Sequence, residues 1–163
     1  MQVDGCALAG LETLGGEANL IHPLSDTQSE NIGANCFIEN DVRIGDGVTI
    51  KNGVQVWDRI VIEDGAFVGP NATFTNDLMP RCRHGAKARE PQLMATVIGR
   101  GATIGANATI VCGISSGRYA MIGAGSVVTG DVPEFSLVYG NPAPVQGRIN
   151  ENGEIVDRRK IRT

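Results

Sequence analysis

The chain repeats itself every six residues over most of its length, and this period constrains the fold more than any other sequence feature. An aliphatic or aromatic residue stands at thirteen of fourteen positions counted in sixes, and the exception is Ser116. These positions are Ile32, Ile38, Ile44, Ile50, Val56, Ile62, Val68, Phe74, Ile98, Ile104, Ile110, Ser116, Ile122 and Val128. A period of six fits neither an amphipathic helix nor a plain alternating strand. It indicates a solenoid in which each repeat forms one side of a coil.

Two further columns share this period. The position four residues after each apolar one is small or β-branched, and Leu78 in the interrupted hexad is the exception. The position three residues after is Gly, Asn or Asp in twelve of fourteen hexads. Because these residues tolerate positive φ, each hexad is predicted to be a short strand followed by a sharp corner. Three hexads close a triangular coil of eighteen residues, and a β-sandwich with this spacing by chance is the weaker alternative.

The repeat is interrupted once, between Phe74 and Ile98, and resumes in phase. Read through the gap, the inward positions would be Pro80, Ala86 and Gln92, which do not make a solenoid core. Residues 75–97 are therefore predicted to be a loop that leaves the coil and returns to the same face. Long loops in compact domains are often functional, although a mobile surface insertion is the alternative.

The two ends of the chain depart from the pattern. Leu8, Leu14 and Leu20 keep the period of six, but the other columns do not, so residues 1–31 are predicted to be a cap or a degenerate first coil. Residues 32–133 are the predicted β-helix, and residues 134–163 a C-terminal extension. Within that extension Asn152-Gly153 predicts a small hairpin.

Composition limits the core and the partners. Of 163 residues, 42% are hydrophobic and 4% aromatic, so the core must consist mainly of Val, Ile and Ala. A net charge of −4 argues against nucleic-acid binding. No apolar run approaches the ~20 residues of a membrane helix, and the first twenty residues lack the Lys or Arg of a secretory leader. Four cysteines without CxxC spacing complete the expectation of a reduced, cytoplasmic protein without a membrane partner.

Polar residues recur at eighteen-residue steps beside the interruption. Asn40, Asp58 and Asn76 form one such column. Glu39, Trp57 and Thr75 form the adjacent one, which includes the only tryptophan of the chain. An amphipathic aromatic beside amides and carboxylates suits a hydroxylated or amino-bearing substrate. Alternatively, these residues simply occupy exposed turns, as Asp77 in the corner column could.

A second set of columns is smooth. Gly105 is eighteen residues before Gly123, and Ala106 eighteen before Ala124. Small side chains leave a groove with exposed backbone amides, which could accept an extended thiol cofactor arm, although small residues also belong to the repeat itself. Arg100 and Arg118 have the same spacing and could meet phosphates or merely solvate a face.

Longer motifs accompany the hexads. The general pattern, aliphatic-Gly-x-x-small-x, resembles the hexapeptide-repeat acyltransferases over roughly residues 31–133. Four longer segments resemble one subgroup, the nucleotide-linked 3-amino-sugar N-acetyltransferases of bacterial surface-polysaccharide synthesis. The segments are WDRIVIEDGAFVGPNATFTNDLMPR, IGANATIVCG, YAMIGAGSVVT and LVYGNPA. The resemblance covers about residues 21–150. The FTND-x-x-PR segment is the most specific. The resemblance implies an all-β, left-handed parallel β-helix that is usually trimeric, whereas the general crossover rule would predict a right-handed one.

The resemblance also implies a reaction. Acetyl-CoA would lie between adjacent subunits, and the amine of a nucleoside-diphosphate 3-amino-deoxyhexose would attack its thioester. The matching asparagine is Asn76, which would position the amine, with Asp77 beside it in the catalytic pair. An amine with a pKa of about 7.7–8.0 is partly unprotonated at neutral pH, so neither a dedicated base nor a metal is required. Catalysis would rest on orientation and on backbone donors to the oxyanion.

The predicted contacts form two groups. The acceptor sugar is expected to contact Glu39, Asn40, Trp57, Asp58, Arg81 and His84. The cofactor is expected to contact Gly105, Ala106, Gly123, Ala124, Arg118 and Arg148. The chain departs from the family at Gly130 and Pro144, where Lys and Arg are common, so Arg148, Arg118 or Arg100 would have to meet the CoA phosphates.

Three other functions are alternatives. O-acetylation of a sugar or small xenobiotic would use His84 as the base, as a loop histidine does in related O-acetyltransferases. A non-catalytic β-solenoid would serve in assembly or binding. A zinc-dependent carbonic anhydrase is disfavoured, because His22 and His84 cannot provide three histidine ligands in one chain.

Overall fold

The computed structural model describes residues 11–12, 19–21, 26–27, 31–81 and 91–158, with side chains from residue 31 onward. Within these ranges the chain forms twenty short β-strands and no helix. The first ten are β1 (Leu11–Glu12), β2 (Asn19–Ile21), β3 (Asp26–Thr27), β4 (Asn31–Ile32), β5 (Phe37–Ile38), β6 (Arg43–Ile44), β7 (Thr49–Ile50), β8 (Gln55–Val56), β9 (Ile60–Ile62) and β10 (Phe67–Val68). The others are β11 (Thr73–Phe74), β12 (Thr96–Ile98), β13 (Thr103–Ile104), β14 (Thr109–Ile110), β15 (Ser115–Ser116), β16 (Met121–Ile122), β17 (Val127–Val128), β18 (Ser136–Val138), β19 (Val145–Ile149) and β20 (Ile155–Arg158).

These strands form three sheets, which are the three sides of a triangular coil. Sheet 1 has the order β1-β2-β5-β8-β11-β14-β17, sheet 2 the order β15-β12-β9-β6-β3, and sheet 3 the order β20-β19-β18-β16-β13-β10-β7-β4. From β2 to β17, successive strands visit sheets 1, 2 and 3 in turn. Most neighbours within a sheet pair in parallel eighteen residues apart, as Ile50 does with Val68. The predicted left-handed parallel β-helix is confirmed.

The apolar column of the repeat forms the core. All fourteen of its members are buried, and Ile38, Ile50 and Ile98 have no exposed surface. The small or β-branched column lies inside as well, because the corners bring it against the strands of the same coil. Ser116 stands in the apolar column with 2% exposure, and its hydroxyl has no hydrogen-bond partner among the described residues.

At the interruption, a stretch of chain as long as one coil lies outside the stack of coils. Val68 pairs with Ile104, and the difference, 104 − 68 = 36, is twice the ordinary spacing. Ile62 pairs with Ile98 at the same spacing. The chain therefore leaves after sheet 1, at Phe74, and rejoins sheet 2 at Thr96. Stacking is continuous across the departure, which is why the sequence count resumes in phase.

The N-terminal part forms an early coil with a different register. Ile21 pairs with Ile38 and Thr27 with Ile44, both seventeen residues apart. Leu20 keeps the period of six in the sequence, but it pairs with Phe37, which is an outward position and not a member of the apolar column. One residue fewer before β4 accounts for the shift. Leu8 and Leu14 lie outside the described residues.

At the other end, parallel pairing continues past residue 133, because β18 pairs in parallel with β16. The chain then reverses, and β19 runs antiparallel to β18. The predicted hairpin is present, since β19 and β20 pair antiparallel around Asn150 to Gly153.

The corners adopt positive φ with informative exceptions. Nine of the twelve Gly, Asn and Asp residues in the corner column do so, as at Gly47 and Asn71. Asp41, Asp77 and Asp131 do not, so the expectation of positive φ is wrong for them. Arg59 and Tyr119 fill the two remaining positions and have φ values of 70° and 53°. The left-handed conformation costs about 1–2 kcal/mol for a residue with a Cβ.

Candidate functional site

Three corners connect the three sheets, and each has its own chemistry. The loop corner joins sheet 1 to sheet 2 and comprises residues 39–42, 57–59, 75–77, 111–114 and 129–132. The arginine corner joins sheet 2 to sheet 3 and comprises residues 45–48, 63–66, 99–102 and 117–120. The glycine corner joins sheet 3 to sheet 1 and comprises residues 33–36, 51–54, 69–72, 105–108 and 123–126. The site residues predicted from the sequence are distributed among all three.

The loop corner brings the predicted polar columns together on consecutive coils. Phe37 pairs with Gln55 and Gln55 with Thr73, so the residues that follow these strands occupy equivalent places. Asn40, Asp58 and Asn76 therefore stack, as do Glu39, Trp57 and Thr75. Beyond the loop, Cys112 takes the place above Asn76, because Phe74 pairs with Ile110.

Two carboxylates at this corner bind backbone amides of neighbouring coils. The Asp58 amide donates to Glu39 Oε2 at 2.7 Å, and the Asp41 amide donates to Asp58 Oδ1 at 2.8 Å. The two side chains thus stabilise the irregular corner. A carboxylate has about four lone-pair sites, so each retains the capacity to accept a ligand hydroxyl or ammonium. Both are partly exposed.

Trp57 is held by a hydrogen bond from its indole nitrogen and by the packing of its ring against another aromatic ring. Its indole Nε1 donates to the Phe74 carbonyl at 3.0 Å. Its ring lies 5.4 Å from that of Phe37 with an interplanar angle of 52°. Because the only donor of the indole is occupied, the exposed part of Trp57 offers an apolar surface rather than a hydrogen bond.

Asn76 and Asp77 lie where the loop departs, and the returning chain pairs with them. The Met94 amide donates to the Asn76 carbonyl at 2.8 Å, and Asp77 forms an antiparallel bridge with Leu93. The Asp77 carboxylate accepts the Met79 amide at 3.0 Å. No described residue bonds the Asn76 side-chain amide, which is half-buried and available to a ligand.

Thr75 extends the corner toward the upper coils. Its hydroxyl accepts a hydrogen bond from the Cys112 amide at 2.9 Å, and Cys112 is buried. Thr75 therefore ties the coil below the loop to the coil above it. The sequence placed Thr75 in the right column but not in this role.

The glycines predicted to meet the cofactor are required by coil stacking. A Cβ at Gly105 would overlap the backbone of Ala124, and one at Gly123 would overlap the Tyr139 side chain. Ala106 is half-buried, and Ala124 is exposed. The smooth surface exists, but the repeat itself accounts for it, and the cofactor role of these four residues stays a prediction.

The arginines lie elsewhere on the coil. Arg118 Nε is 2.6 Å from Glu134 Oε2, and Arg100 Nη2 is 3.0 Å from Asp64 Oδ2, both at the arginine corner. Arg148 is exposed and pairs opposite Ser136 in sheet 3. Within one chain, neither Arg118 nor Arg100 lies at the glycine corner. Exposed ion pairs contribute about 0–1 kcal/mol, so a phosphate could compete for either arginine.

The remaining predicted residues belong to the loop itself. Arg81 is exposed and donates from Nη1 to the Pro80 carbonyl at 2.8 Å. His84 lies outside the described residues. In the ranges the structure describes, no three His, Cys, Asp or Glu side chains cluster as a metal site would require. No helix in those ranges is long and apolar enough to cross a bilayer.

Arg59 was missed by the sequence reasoning. Its guanidinium Nη1 donates to the Leu93 carbonyl at 3.1 Å, and it stands directly beneath the loop's return. The signal was present, because the corner column has Gly, Asn or Asp in twelve of fourteen places and Arg59 is one of the two exceptions.

Two segments match models of known families. Residues 41–76 match the bacterial transferase hexapeptide model of six repeats, and residues 95–130 match the hexapeptide repeat of succinyl-transferase. These segments are the runs of hexads on either side of the loop. The resemblance to hexapeptide-repeat proteins inferred from the sequence is confirmed.

One curated relative is more than half identical to this chain over a limited segment. The dTDP-3-amino-3,6-dideoxy-alpha-D-galactopyranose 3-N-acetyltransferase of Aneurinibacillus thermoaerophilus is 56% identical over 54 residues, which are 33% of this chain and 28% of the relative. The chain thus matches well under a third of that protein's length.

Two solved structures share the fold. A histidine-to-asparagine mutant of perosamine N-acetyltransferase from Caulobacter crescentus, in complex with CoA and GDP-perosamine, superposes with a TM-score of 0.58. It is 26% identical over 79% of this chain and 56% of its own. A maltose O-acetyltransferase from Clostridium difficile has a TM-score of 0.66 and 26% identity, over 77% of this chain and 68% of its own. Both an amine and a hydroxyl acceptor thus occur among proteins of this shape.

Proposed function

Since the chain carries the hexapeptide repeat of bacterial transferases, we propose that it is an acetyl-CoA-dependent N-acetyltransferase acting on the amine of a nucleoside-diphosphate 3-amino-deoxyhexose. The observation that carries the proposal is the loop corner. There a half-buried Asn76 amide without a described partner stands above the Asp58 and Glu39 carboxylates and beside the apolar surface of Trp57. A relative that is 56% identical over 54 residues is a dTDP-3-amino-3,6-dideoxy-alpha-D-galactopyranose 3-N-acetyltransferase.

Each group at this corner has a role in binding. Trp57 offers an apolar surface against which a sugar ring can pack. The free lone pairs of Glu39 and Asp58 accept sugar hydroxyls. The side-chain oxygen of Asn76, Oδ1, can accept an amine N–H. This would direct the nitrogen lone pair away from Asn76 and toward the thioester.

The transfer itself needs little from the protein beyond orientation. The neutral amine forms a C–N bond with the acetyl carbonyl carbon, the tetrahedral intermediate collapses, and the C–S bond breaks. The proton lost from the nitrogen is taken up by the departing thiolate, which gives CoA and the acetamido sugar. The acetyl-CoA would lie along the glycine corner, with a neighbouring subunit of a homotrimer completing the site.

The test is the rate of CoA thiol release with acetyl-CoA and a panel of amino sugar nucleotides, in which the linked nucleotide and the C4 epimer vary. Asn76→Ala should lower kcat/KM for the acceptor by on the order of 100-fold or more, because orientation of the amine is lost. Asn31→Ala, the matched change at an exposed residue of sheet 3, should leave kcat/KM for the acceptor unchanged. Wild-type turnover in the Asn76 variant would disprove its positioning role.

O-acetylation is the second candidate, because the maltose O-acetyltransferase has the same fold. It requires His84 as a base, whereas the amine reaction does not. His84→Ala should abolish transfer to a hydroxyl and spare transfer to an amine. The pH profiles also differ, since an ordinary histidine base has a pKa of about 6.5 and a free amine acceptor one of about 7.7–8.0. Absence of acetyl-CoA binding by calorimetry would favour a non-catalytic role instead.

A further inference from the structure

Arg59 occupies a corner where the backbone favours glycine. Of the six described non-glycine residues with positive φ, three are asparagines, which tolerate that conformation. Tyr119 and Phe135 stack on each other with ring centroids 5.4 Å apart. Arg59, at φ 70°, has no such ring contact. Backbone strain that persists at one position calls for a compensating role of the side chain.

The compensating contact of Arg59 is with the returning limb of the loop. Its Nη1 donates to the Leu93 carbonyl at 3.1 Å. Its own carbonyl accepts the Thr96 amide at 3.1 Å, and its amide donates to the Asp41 carbonyl at 2.7 Å. The two backbone bonds are open to any residue. The bond to Leu93 requires a long side chain with an N–H donor, so it is the contact that depends on the arginine side chain.

The limb that Arg59 holds is the one that pairs with Asn76. Leu93 forms the antiparallel bridge with Asp77, and the next residue, Met94, donates its amide to the Asn76 carbonyl at 2.8 Å. A displacement of Leu93 would therefore move Met94 and, through it, the backbone that carries the Asn76 amide. The path from guanidinium to Asn76 consists of one hydrogen bond, one peptide unit and one further hydrogen bond.

We infer that Arg59 is a positioning residue for the acceptor site, which fixes the Asn76 side chain by holding the returning limb of the loop at Leu93. The inference rests on the proposed role of Asn76 in acetyl transfer, but the hydrogen-bond path can be measured without that activity. Arg59 need not touch the sugar, because it acts through Leu93 and Met94.

The experiment compares Arg59→Gly, Arg59→Asn and Arg59→Lys in the full chain. Glycine and asparagine both suit positive φ and cannot reach Leu93, whereas lysine keeps a donor and the backbone cost. Tyr119→Asn is the matched control, because it changes the other exceptional corner residue. Two quantities are measured: hydrogen exchange of the Met94 amide, and steady-state kinetics with each substrate varied.

Arg59→Gly and Arg59→Asn should speed Met94 exchange by on the order of tenfold and lower kcat/KM for the acceptor by roughly 10- to 100-fold. KM for acetyl-CoA should be unchanged, Arg59→Lys should recover part of both effects, and Tyr119→Asn should show neither. Unchanged Met94 exchange would overturn the inference. Faster exchange with wild-type kinetics would also overturn it, because the position of the Asn76 side chain would then not depend on the hydrogen bond from Arg59 to Leu93. If the wild type transfers no acetyl group, the proposed function fails, and the exchange data alone decide whether Arg59 holds Asn76.

Discussion

The loop corner and the glycine corner are made by the same repeat, yet they obey different rules. At the glycine corner, each coil presses on the next so closely that Gly105 and Gly123 leave no room for a Cβ. At the loop corner, three aspartates avoid positive φ, carboxylates cap backbone amides, and the chain departs for one coil's length. Regular stacking thus sets the residues of one corner, whereas the other has room for polar side chains and for ligand binding.

One methyl group added at each corner should have different effects on stability. Gly105→Ala would place Cβ against the Ala124 backbone, whereas a Cβ at Gly130 meets nothing within 4 Å. Overpacking costs about 1–3 kcal/mol, so Gly105→Ala should lower the free energy of unfolding by that amount. Gly130→Ala should stay within about 0.5 kcal/mol of the wild type. Chemical denaturation measures both, and equal losses would contradict the distinction between the corners.

An effect of opposite sign is expected on sheet 2, directly after the loop corner. Ser116 puts an unpartnered hydroxyl into a column that is otherwise aliphatic or aromatic. Ser116→Val should raise the free energy of unfolding by about 1–3 kcal/mol at most, because the desolvated hydroxyl is removed and apolar surface is buried. The melting temperature would show this gain, with Ser115→Val on the exposed side of the same strand as the control. A loss of stability would mean that the column has no space at that level.

The smallest expected effect concerns the bond that anchors Trp57. Trp57→Phe keeps an aromatic ring near Phe37 but removes the donor to the Phe74 carbonyl. The net loss of one hydrogen bond is about 0.5–1.5 kcal/mol. Thermal unfolding should show this modest loss, while KM for the acceptor sugar should change little because the apolar surface remains. A large rise in KM would instead indicate that the indole nitrogen serves the ligand.

Much of the architecture could be predicted because it is periodic. Spacing alone placed Ile38, Ile62 and Ile110 in the core, located the loop after Phe74, and put Asp58 in the same column as Asn76. The register of the first coil could not be predicted, because one residue fewer before β4 shifts Leu20 by one position, and a repeat with weak columns does not reveal such a shift.

The site was less predictable, because its chemistry depends on contacts between distant residues. Nothing in the sequence shows that Glu39 caps the amide of Asp58 or that Arg59 reaches Leu93, 34 residues away. The spacing of Arg118 suggested a phosphate site, but spacing does not show that Glu134 lies within 2.6 Å of it.

The sequence by itself determined the coil, because a side chain of the right size every six residues and a turn-forming residue after each strand leave one way to bury the apolar column. Only the tertiary structure decided which corner carries the candidate site. The hydrogen bonds from Met94 to Asn76 and from Arg59 to Leu93 join the coil to the returning part of the loop. Hydrogen-bond geometry, and not local residue preference, selects these partners.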